Sequence, residues 1–276
     1  MISVVIPSIY EKSLFKTLNS IYKSSLVPKE VIIVLPTQLK DIIDIKKLSN
    51  YKNILIKFSK KKGQVQQRIH GFKIASQPYV LQLDSDIVVK KNTIELLYKF
   101  IKRKKNVSVS GYIFNTNKTT IKKDFLNKYF NYLLFHGEIQ PKPGTISQLG
   151  IPFSFGNNDF KEEITEVDWV QGGIVLHQKK NLIFKNYFKF SGPAYCEDVF
   201  HSLLLRKKKI RLYLHKNAVC IHNDNPIFKI RYKFLNEYKI RLKLFKILNN
   251  KMYIRFNLWF LFYMVKTNLN FFIKKY

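Results

Sequence analysis

"YVLQLDSD", residues 79–86, ends a run of apolar residues on two carboxylates, Asp84 and Asp86. The apolar part has the length of a short buried strand. Aspartate is disfavoured inside strands, so the pair marks the end of this one. Two carboxylates on either side of Ser85 can hold one hard cation, which often completes its coordination with substrate phosphates. A loop acid that caps the next helix is the alternative interpretation of the same tripeptide.

This stretch is the fourth in a series of short apolar runs. The earlier three cover residues 2–6, 30–36 and 53–58, and the first of them is ended by Pro7. The segments between the runs carry apolar residues at helical spacing. Strands that alternate with helices predict a parallel sheet covered on both faces. Ligands of such sheets bind beyond the carboxyl ends of the strands, which is where the two aspartates fall.

The chain beyond the aspartates continues the α/β pattern. Asn92, followed three residues later by Glu95, predicts a helix that opens with a capping box. Residues 136–165 are rich in Gly, Pro, Ser and Asn and predict a long loop. The other predicted elements are a strand at 107–114, strand character around a glycine pair at 167–177, a helix at 197–209, and strands at 211–215 and 218–222.

Composition limits the class of protein. With 276 residues, of which 46% are hydrophobic, the chain can bury a substantial core. Its formal charge of +31 predicts an acidic partner, such as a membrane surface, a nucleic acid or a phosphorylated substrate. Two cysteines cannot form a disulfide framework, and the N-terminal residues do not resemble a signal peptide, so we expect a cytoplasmic protein. The apolar stretch at 256–265 is too short to span a bilayer.

The C-terminal fifty residues differ from the rest. Residues 227–276 hold twelve Lys or Arg and one acid, with apolar residues at helical spacing. This pattern predicts a basic amphipathic extension lying on an anionic membrane surface. The aromatic residues expected at that interface are Trp259, Phe260, Phe262 and Tyr263. Two alternatives remain: these aromatics pack on the main domain while the lysines face water, or the basic and aromatic residues bind nucleic acid.

Five segments in a fixed order suggest a family. They are "SVVIPS" (3–8), "GQVQQRIHGFKIASQPYVLQLDSD" (63–86), "WVQGGIVL" (169–176), "YCEDVFHSLLLRKKKIRLY" (195–213) and "AVCIH" (218–222). Together they resemble the family 2 glycosyltransferases, which have the GT-A fold, over about four fifths of the chain. The resemblance implies a mixed, mostly parallel sheet with helices on both faces in residues 1–224. Residues 225–276 would then form the helical, basic extension.

The same resemblance assigns the donor side of a site. Asp86 would bind a divalent metal, Mn²⁺ or Mg²⁺, that bridges the two phosphates of a nucleotide sugar. Asp84 would hold the ribose or a metal-bound water, and His222 would be a further metal ligand. Arg68 would lie near the nucleotide, where its cationic fork suits a phosphate; the alternative is a solvated helix residue. The remaining residues placed at the nucleotide sugar are Pro7, Ser8 and Ser85.

The acceptor side follows from a second set of residues. Glu197 and Asp198 match the acidic pair of the family, and Asp198 is the candidate base that takes the proton of the attacking hydroxyl. A structural role in the first turn of a helix is the alternative. Gly172 and Gly173 would let the backbone approach a sugar, unless they form a plain bulge. Trp169 would stack on a sugar ring, unless it is a core residue.

Two departures from the family bear on the nucleotide. Where many members have an aspartate pair after the second strand, this chain has Pro36, Thr37 and Gln38. The asparagine that usually follows the helix arginine is Ile69. The fold prediction is unaffected, but UDP is then only a default choice of nucleotide.

The predicted function is therefore an inverting, metal-dependent glycosyltransferase. It would move a sugar from a nucleotide sugar to a hydroxyl of a glycan or of a lipid-linked acceptor, in the synthesis of a surface polysaccharide or glycolipid. Its place would be the cytosolic face of a membrane, with no nucleic-acid partner. The alternatives are a catalytically silent peripheral membrane protein of the same fold and a basic nucleic-acid-binding protein.

Overall fold

The computed structural model describes residues 1–61, 63–114, 142–153, 160–189, 196–222, 234–248 and 251–273. The chain divides into two compact units. The first lies within residues 1–118 and 156–226, and the second within residues 119–155 and 227–276. Each unit has its own hydrophobic core in the described residues.

The first unit is built on one mixed sheet. Its strand order is β3-β2-β1-β4-β8-β6-β9-β5, and β7 pairs with β9. β1, β2, β3 and β4 pair in parallel, whereas β8 runs antiparallel to both β4 and β6. The strands are β1 (Ile2–Pro7), β2 (Glu30–Pro36), β3 (Ile54–Ser59), β4 (Tyr79–Leu83), β5 (Ile87–Val89), β6 (Val107–Phe114), β7 (Ile164–Val167), β8 (Ile174–Gln178) and β9 (Arg211–His222).

Helices cover both faces of this sheet, as predicted. Alternate residues of β1 point to opposite sides: Val4 joins a core with the apolar faces of α1 and α4, whereas Val5 packs in a second core with Phe72 of α3. The helices of this unit are α1 (Ser13–Tyr22), α2 (Lys46–Ser49), α3 (Gln64–Ile74), α4 (Thr93–Lys102) and α5 (Glu197–Lys207). The sheet and its two helical layers confirm the predicted α/β class.

Several local predictions were wrong. The side chain of Asn92 makes no capping bond; Glu95, instead of closing a capping box, accepts a hydrogen bond from Ser25 at 2.6 Å and pairs with Lys99. The strand β5 directly after the aspartates was not predicted, because three residues are too few to show a period. The two predicted strands at 211–215 and 218–222 form one continuous strand, β9. The glycine pair lies before β8 rather than within it.

The described residues of the second unit include the helices α6 (Phe234–Ile247) and α7 (Tyr253–Ile273), which bear out the predicted helical extension. Their core contains Trp259 and Phe260, which are 7% and 2% exposed, together with Leu149. Two of the aromatics expected at a membrane interface are therefore buried within the unit. Leu149 packs with these helices although it precedes residue 225, where the sequence placed the domain boundary. In the described part of the chain, no helix is both long and apolar enough to cross a membrane.

Gly71 sets how closely α3 approaches the sheet. A Cβ atom at this position would lie 2.3 Å from Cγ1 of Val5 and 3.1 Å from Cγ2 of Val34, both in buried side chains.

We expect Gly71→Ala to lower the free energy of unfolding by about 1–2 kcal/mol. An approach of 2.3 Å is a severe overlap, so we take the upper part, about 2–3 kcal/mol, of the usual overpacking cost, and the better helix propensity of alanine returns only about 1 kcal/mol.

Urea unfolding measures this difference, and Lys73→Ala, at an exposed position of the same helix, is the matched control. If Gly71→Ala were as stable as Lys73→Ala, the close packing of α3 on the sheet would be contradicted.

Candidate active site

The first two turns of α3 carry a polar face towards the carboxyl ends of the strands. Gln64, Gln67 and Arg68 lie on this face, at spacings of three and four. Gln67 is 4% exposed, and its amide donates hydrogen bonds to the backbone oxygens of Ser8 at 2.9 Å and Val34 at 2.7 Å. The ends of β1 and β2 are thereby fixed by one side chain. Sequence reasoning missed both glutamines, although their spacing to Arg68 was a usable signal.

Arg68 lies at the centre of the site and is only 2% exposed. Its Nη2 is 2.7 Å from Oδ1 of Asp84, and its Nη1 is 2.6 Å from Oε2 of Glu197. Burial alone would lower the pKa of the guanidinium, but the Glu197 and Asp84 carboxylates outweigh it and raise that pKa. Arg68 is therefore not a solvated helix residue, which was the alternative interpretation. Its guanidinium joins the two acidic motifs, and its place near a nucleotide stays a prediction.

Asp84 is held from two directions. Its Oδ1 accepts hydrogen bonds from Arg68 and from the amide of Gln64 at 2.9 Å, and its backbone N–H donates to the oxygen of Gly173 at 2.9 Å. Burial raises the pKa of the Asp84 carboxyl, although Arg68 opposes the shift. Gly173 also packs closely: a Cβ there would lie 2.9 Å from Cδ1 of Ile113. The lack of a side chain at Gly173 thus allows close packing against Ile113, and its predicted approach to a sugar stays a prediction.

Glu197, the first residue of α5, is 3% exposed and accepts a hydrogen bond from the hydroxyl of Tyr187 through its Oε1. Burial and the nearby Glu197 raise the pKa of Tyr187 well above its ordinary value. Tyr187 also stacks on His201, at 5.4 Å between ring centroids. Burial lowers the pKa of His201 to about 3, so this ring is neutral. Sequence reasoning missed both residues, though His201 lies one turn after Glu197 on the same helix.

Asp198, the next residue, is only half-buried. Burial, and then the charge of Glu197, raise the pKa of its carboxyl to about 7. The N–H of Val199 donates to its Oδ1 at 2.9 Å. Gly172 lies directly against it, since a Cβ on this glycine would be 3.3 Å from Cβ of Asp198. Asp198 is thus a carboxyl that can gain and lose a proton near neutral pH, in contact with the Arg68 network through Glu197.

Asp86 and His222 form a separate pair. Asp86 precedes β5 and His222 ends β9, and these two strands pair so that Ile87 lies opposite His222. Nε2 of the imidazole is 3.2 Å from Oδ2 of Asp86, and the side chains are 21% and 33% exposed. Of the three predicted metal ligands, the structure brings these two together and leaves Asp84 with Arg68. Within the described ranges, no group of three or more His, Cys, Asp and Glu residues is placed to hold a metal ion.

The Asp86 and His222 pair nevertheless fits the predicted metal. A carboxylate oxygen and an imidazole nitrogen are donors that Mn²⁺ accepts, and the partial exposure of both leaves room for further ligands from a substrate. Asp86 and His222 are therefore the residues that would hold such an ion.

A cleft of about 670 Å³ opens at the carboxyl ends of β1 and β2. Three residues predicted at the nucleotide sugar, Pro7, Ser8 and Ser85, line it. Pro36 and Gln38, which replace the acids usual in the family, line it too. The other lining residues were not predicted: Ile9, Glu11, Leu39, Gly63, Gln64 and Gln67. Glu11 supplies a carboxylate to this wall, where it accepts a hydrogen bond from Ser8 at 2.9 Å.

Trp169 is 6% exposed. Its neighbour Val170 is tied to α5, because the backbone N–H of Val170 donates to the hydroxyl of Ser202 at 3.1 Å. A ring this deeply buried corresponds to the core alternative for Trp169 rather than to a sugar platform.

Comparison with known proteins agrees with this geometry. Residues 3–160 match the family described as "Glycosyl transferase family 2". The chain belongs to this family. The family is one of glycosyltransferases, and the match includes β1, the polar face of α3 and both aspartates. No curated protein matches the chain significantly.

A solved structure shares the fold of this family 2 chain. It is described as "Crystal structure of GalNAc-T7 with UDP, GalNAc and Mn2+" and superposes with a TM-score of 0.58 at 17% sequence identity. The superposition covers 88% of this chain and 48% of the other, so the chain spans about half the length of that protein. A likeness at this identity establishes the fold, which is the predicted GT-A fold.

The buried ion pairs of Arg68 predict a large effect on stability. We expect Arg68→Met to lower the free energy of unfolding by about 3–5 kcal/mol, because the buried carboxylate of Glu197 and the partly buried one of Asp84 lose their counter-charge. Arg206→Met is the control: Arg206 pairs with Asp168 at 3.1 Å, but the two side chains are 45% and 30% exposed. That change should cost about 1 kcal/mol or less. Equal losses in urea unfolding would show that the Arg68 network does not hold the site together.

Because the pKa of Asp198 is raised, we expect the protein to become more stable when this carboxyl group is replaced, by an amount that depends on pH. The folded protein keeps this proton up to about pH 7, whereas the unfolded chain releases it near the ordinary value of 3.8. The ionised carboxyl therefore destabilises the fold increasingly as pH rises from about 4 to 7. We expect Asp198→Asn to match the wild type at about pH 4 and to be more stable by about 1–3 kcal/mol at about pH 8. Thermal unfolding across this range, with Glu166→Gln as the exposed control, measures the difference. A pH-independent difference would contradict the shift.

Proposed function

We propose that this family 2 protein is an inverting glycosyltransferase that moves a sugar from a nucleoside diphosphate to a hydroxyl. The observation that carries the proposal is the contact chain from Asp84 through Arg68 and Glu197 to Asp198. It links Asp84, the first of the two aspartates after β4, to a carboxyl that titrates near neutral pH. A donor site and a proton acceptor are thereby held by one buried framework.

Asp198 is the proposed base. Inversion at an anomeric carbon requires a group that accepts the proton of the attacking hydroxyl on the face opposite the leaving group. A base works best when its pKa is close to the working pH, and the pKa of about 7 meets this condition. Glu197 is also one of the proposed catalytic residues, but its carboxylate is engaged by Arg68 and Tyr187. We therefore propose that Glu197 holds Asp198 in position rather than taking part in the proton transfer itself.

The nucleotide sugar would occupy the cleft lined by Pro7, Ser8 and Ser85. Gln38 and Glu11, rather than an aspartate pair, are the polar groups on the wall of the cleft where the nucleobase of the donor would lie. Asp86 and His222 would hold a divalent metal at the diphosphate. When bound, such an ion neutralises the charge that develops on the leaving nucleoside diphosphate. The nucleotide and the metal in the solved structure of the structurally similar GalNAc-T7, UDP and Mn²⁺, support this assignment.

The acceptor is proposed to be a glycan or a lipid-linked sugar, approached from the side of Gly172 and Asp198. With 49 Lys and Arg against 18 Asp and Glu, the chain favours an anionic environment. This supports work at the cytosolic surface of a membrane, in the synthesis of a surface polysaccharide or glycolipid. A silent protein of the same fold is the alternative that the following experiment addresses.

Release of nucleotide from a panel of nucleotide sugars, with Mn²⁺ or Mg²⁺, tests the proposal. We expect turnover with at least one donor, and kcat/KM that rises with pH through about 7, because Asp198 must be ionised to accept a proton. Asp198→Asn should lower kcat by about a hundredfold or more. Asp86→Asn should instead raise the metal concentration needed for half-maximal rate.

Glu166→Gln, an exposed acid on β7, is the matched control and should leave both parameters unchanged. Circular dichroism confirms that each variant is folded. If a folded Asp198→Asn variant transferred sugar at the wild-type rate, the assigned base would be wrong. If no donor in the panel were turned over by the wild type, the silent alternative would be favoured.

A further inference from the structure

The helix α7 exposes a continuous aliphatic stripe. Ile254, Leu258, Leu261 and Val265 are 77%, 58%, 60% and 49% exposed, and their spacing of four, three and four places them on one face. The buried residues of the same helix, Phe256, Trp259 and Phe260, pack into the core of the second unit. Between Tyr253 and Val265, α7 is therefore apolar on two sides, and of these the side with Phe256, Trp259 and Phe260 is buried.

The charged groups of this unit are arranged in an equally uneven way. Lys239, Lys243 and Lys246 are exposed along α6 at spacings of four and three. The acid Glu237 is 6% exposed and is bound by Arg241, which is 7% exposed, at 3.0 Å. Arg241 also lies over the ring of Trp259, at 5.0 Å. Among the described residues of α6 and α7, no carboxylate remains at the surface.

We propose that this helical unit docks on an anionic lipid bilayer through the stripe Ile254, Leu258, Leu261 and Val265. The aliphatic side chains would enter the interface between headgroups and acyl chains, as in other helices that lie in the plane of a membrane. The exposed lysines of α6 would meet anionic headgroups. The residues that touch lipid are thus aliphatic, and the buried aromatics Trp259 and Phe260 are not among them.

Charge decides between a bilayer and a second copy of the chain. Association of two copies through α7 would bring two cationic surfaces together, and like charges across an interface oppose binding. An anionic leaflet supplies the opposite charge over the whole surface. An apolar stripe in a pair of helices whose described residues expose cations and no carboxylate therefore fits a membrane surface better than a copy of itself.

This surface is separate from the residues proposed for sugar transfer, so it can be tested without measuring activity. The full-length protein is sedimented with vesicles of phosphatidylcholine alone, or of phosphatidylcholine and phosphatidylglycerol in equal parts. We expect binding to the anionic vesicles that weakens with salt, and little binding to the neutral ones. Replacing Leu258 and Leu261 together by Ser should lower the partition coefficient by about tenfold or more.

Lys239→Glu with Lys246→Glu should lower binding to anionic vesicles only. Ile42→Ser is the matched control, because Ile42 is as exposed as Ile254 but lies in the first unit. All of the changed residues are at the surface, and circular dichroism checks that each variant is folded. Unchanged vesicle binding by a folded Leu258→Ser, Leu261→Ser variant would overturn the proposal. The proposal would also be overturned if sedimentation equilibrium showed that the wild type is a dimer and that the Leu258→Ser, Leu261→Ser variant is a monomer.

Discussion

The buried guanidinium of Arg68 is the constraint on which the site depends. It is 2% exposed and satisfies two carboxylates that arrive from distant parts of the chain, Asp84 at the end of β4 and Glu197 at the start of α5. A buried charge of this kind is costly unless its partners stay in place. Movement of α5 away from the sheet is therefore unfavourable, because it would leave the buried charges of Arg68 and Glu197 without partners.

The same network explains how Asp198 differs from its neighbour. Glu197 and Asp198 are adjacent in sequence and both begin α5, but only Glu197 faces Arg68. Asp198 receives the repulsion of the Glu197 charge together with partial burial, and both effects favour its protonated form. Two acids with different proton affinities thus arise from one dipeptide, because consecutive residues of a helix point in different directions. Tyr187 contributes by holding Glu197 in place through its hydroxyl.

Sequence reasoning predicted the fold well where the signal was local. The apolar runs that became β1, β2 and β4, and the acids that follow β4, could be located from periodicity and from the exclusion of Asp from strands. The contacts between residues that are distant in sequence could not be predicted in this way. Nothing in the sequence pairs Arg68 with Glu197, and β8 is inserted antiparallel beside β4 although it is far away in the chain. Tyr187 was missed because its function is a contact and not a pattern, whereas the spacing of Gln67 to Arg68 on one helix was a signal that could have been used.

The charge of the site also bears on its ligand. The chain as a whole is strongly cationic, yet at the end of β4 one guanidinium stands against the carboxylates of Asp84, Asp86 and Glu197. A diphosphate drawn to the protein by its overall charge would meet local repulsion at this point. A divalent cation on Asp86 and His222 would offset the repulsion between the carboxylates and the phosphates, so that the diphosphate could bind there. The local excess of carboxylates is thus a physical reason, independent of the family, to propose that a metal accompanies the donor.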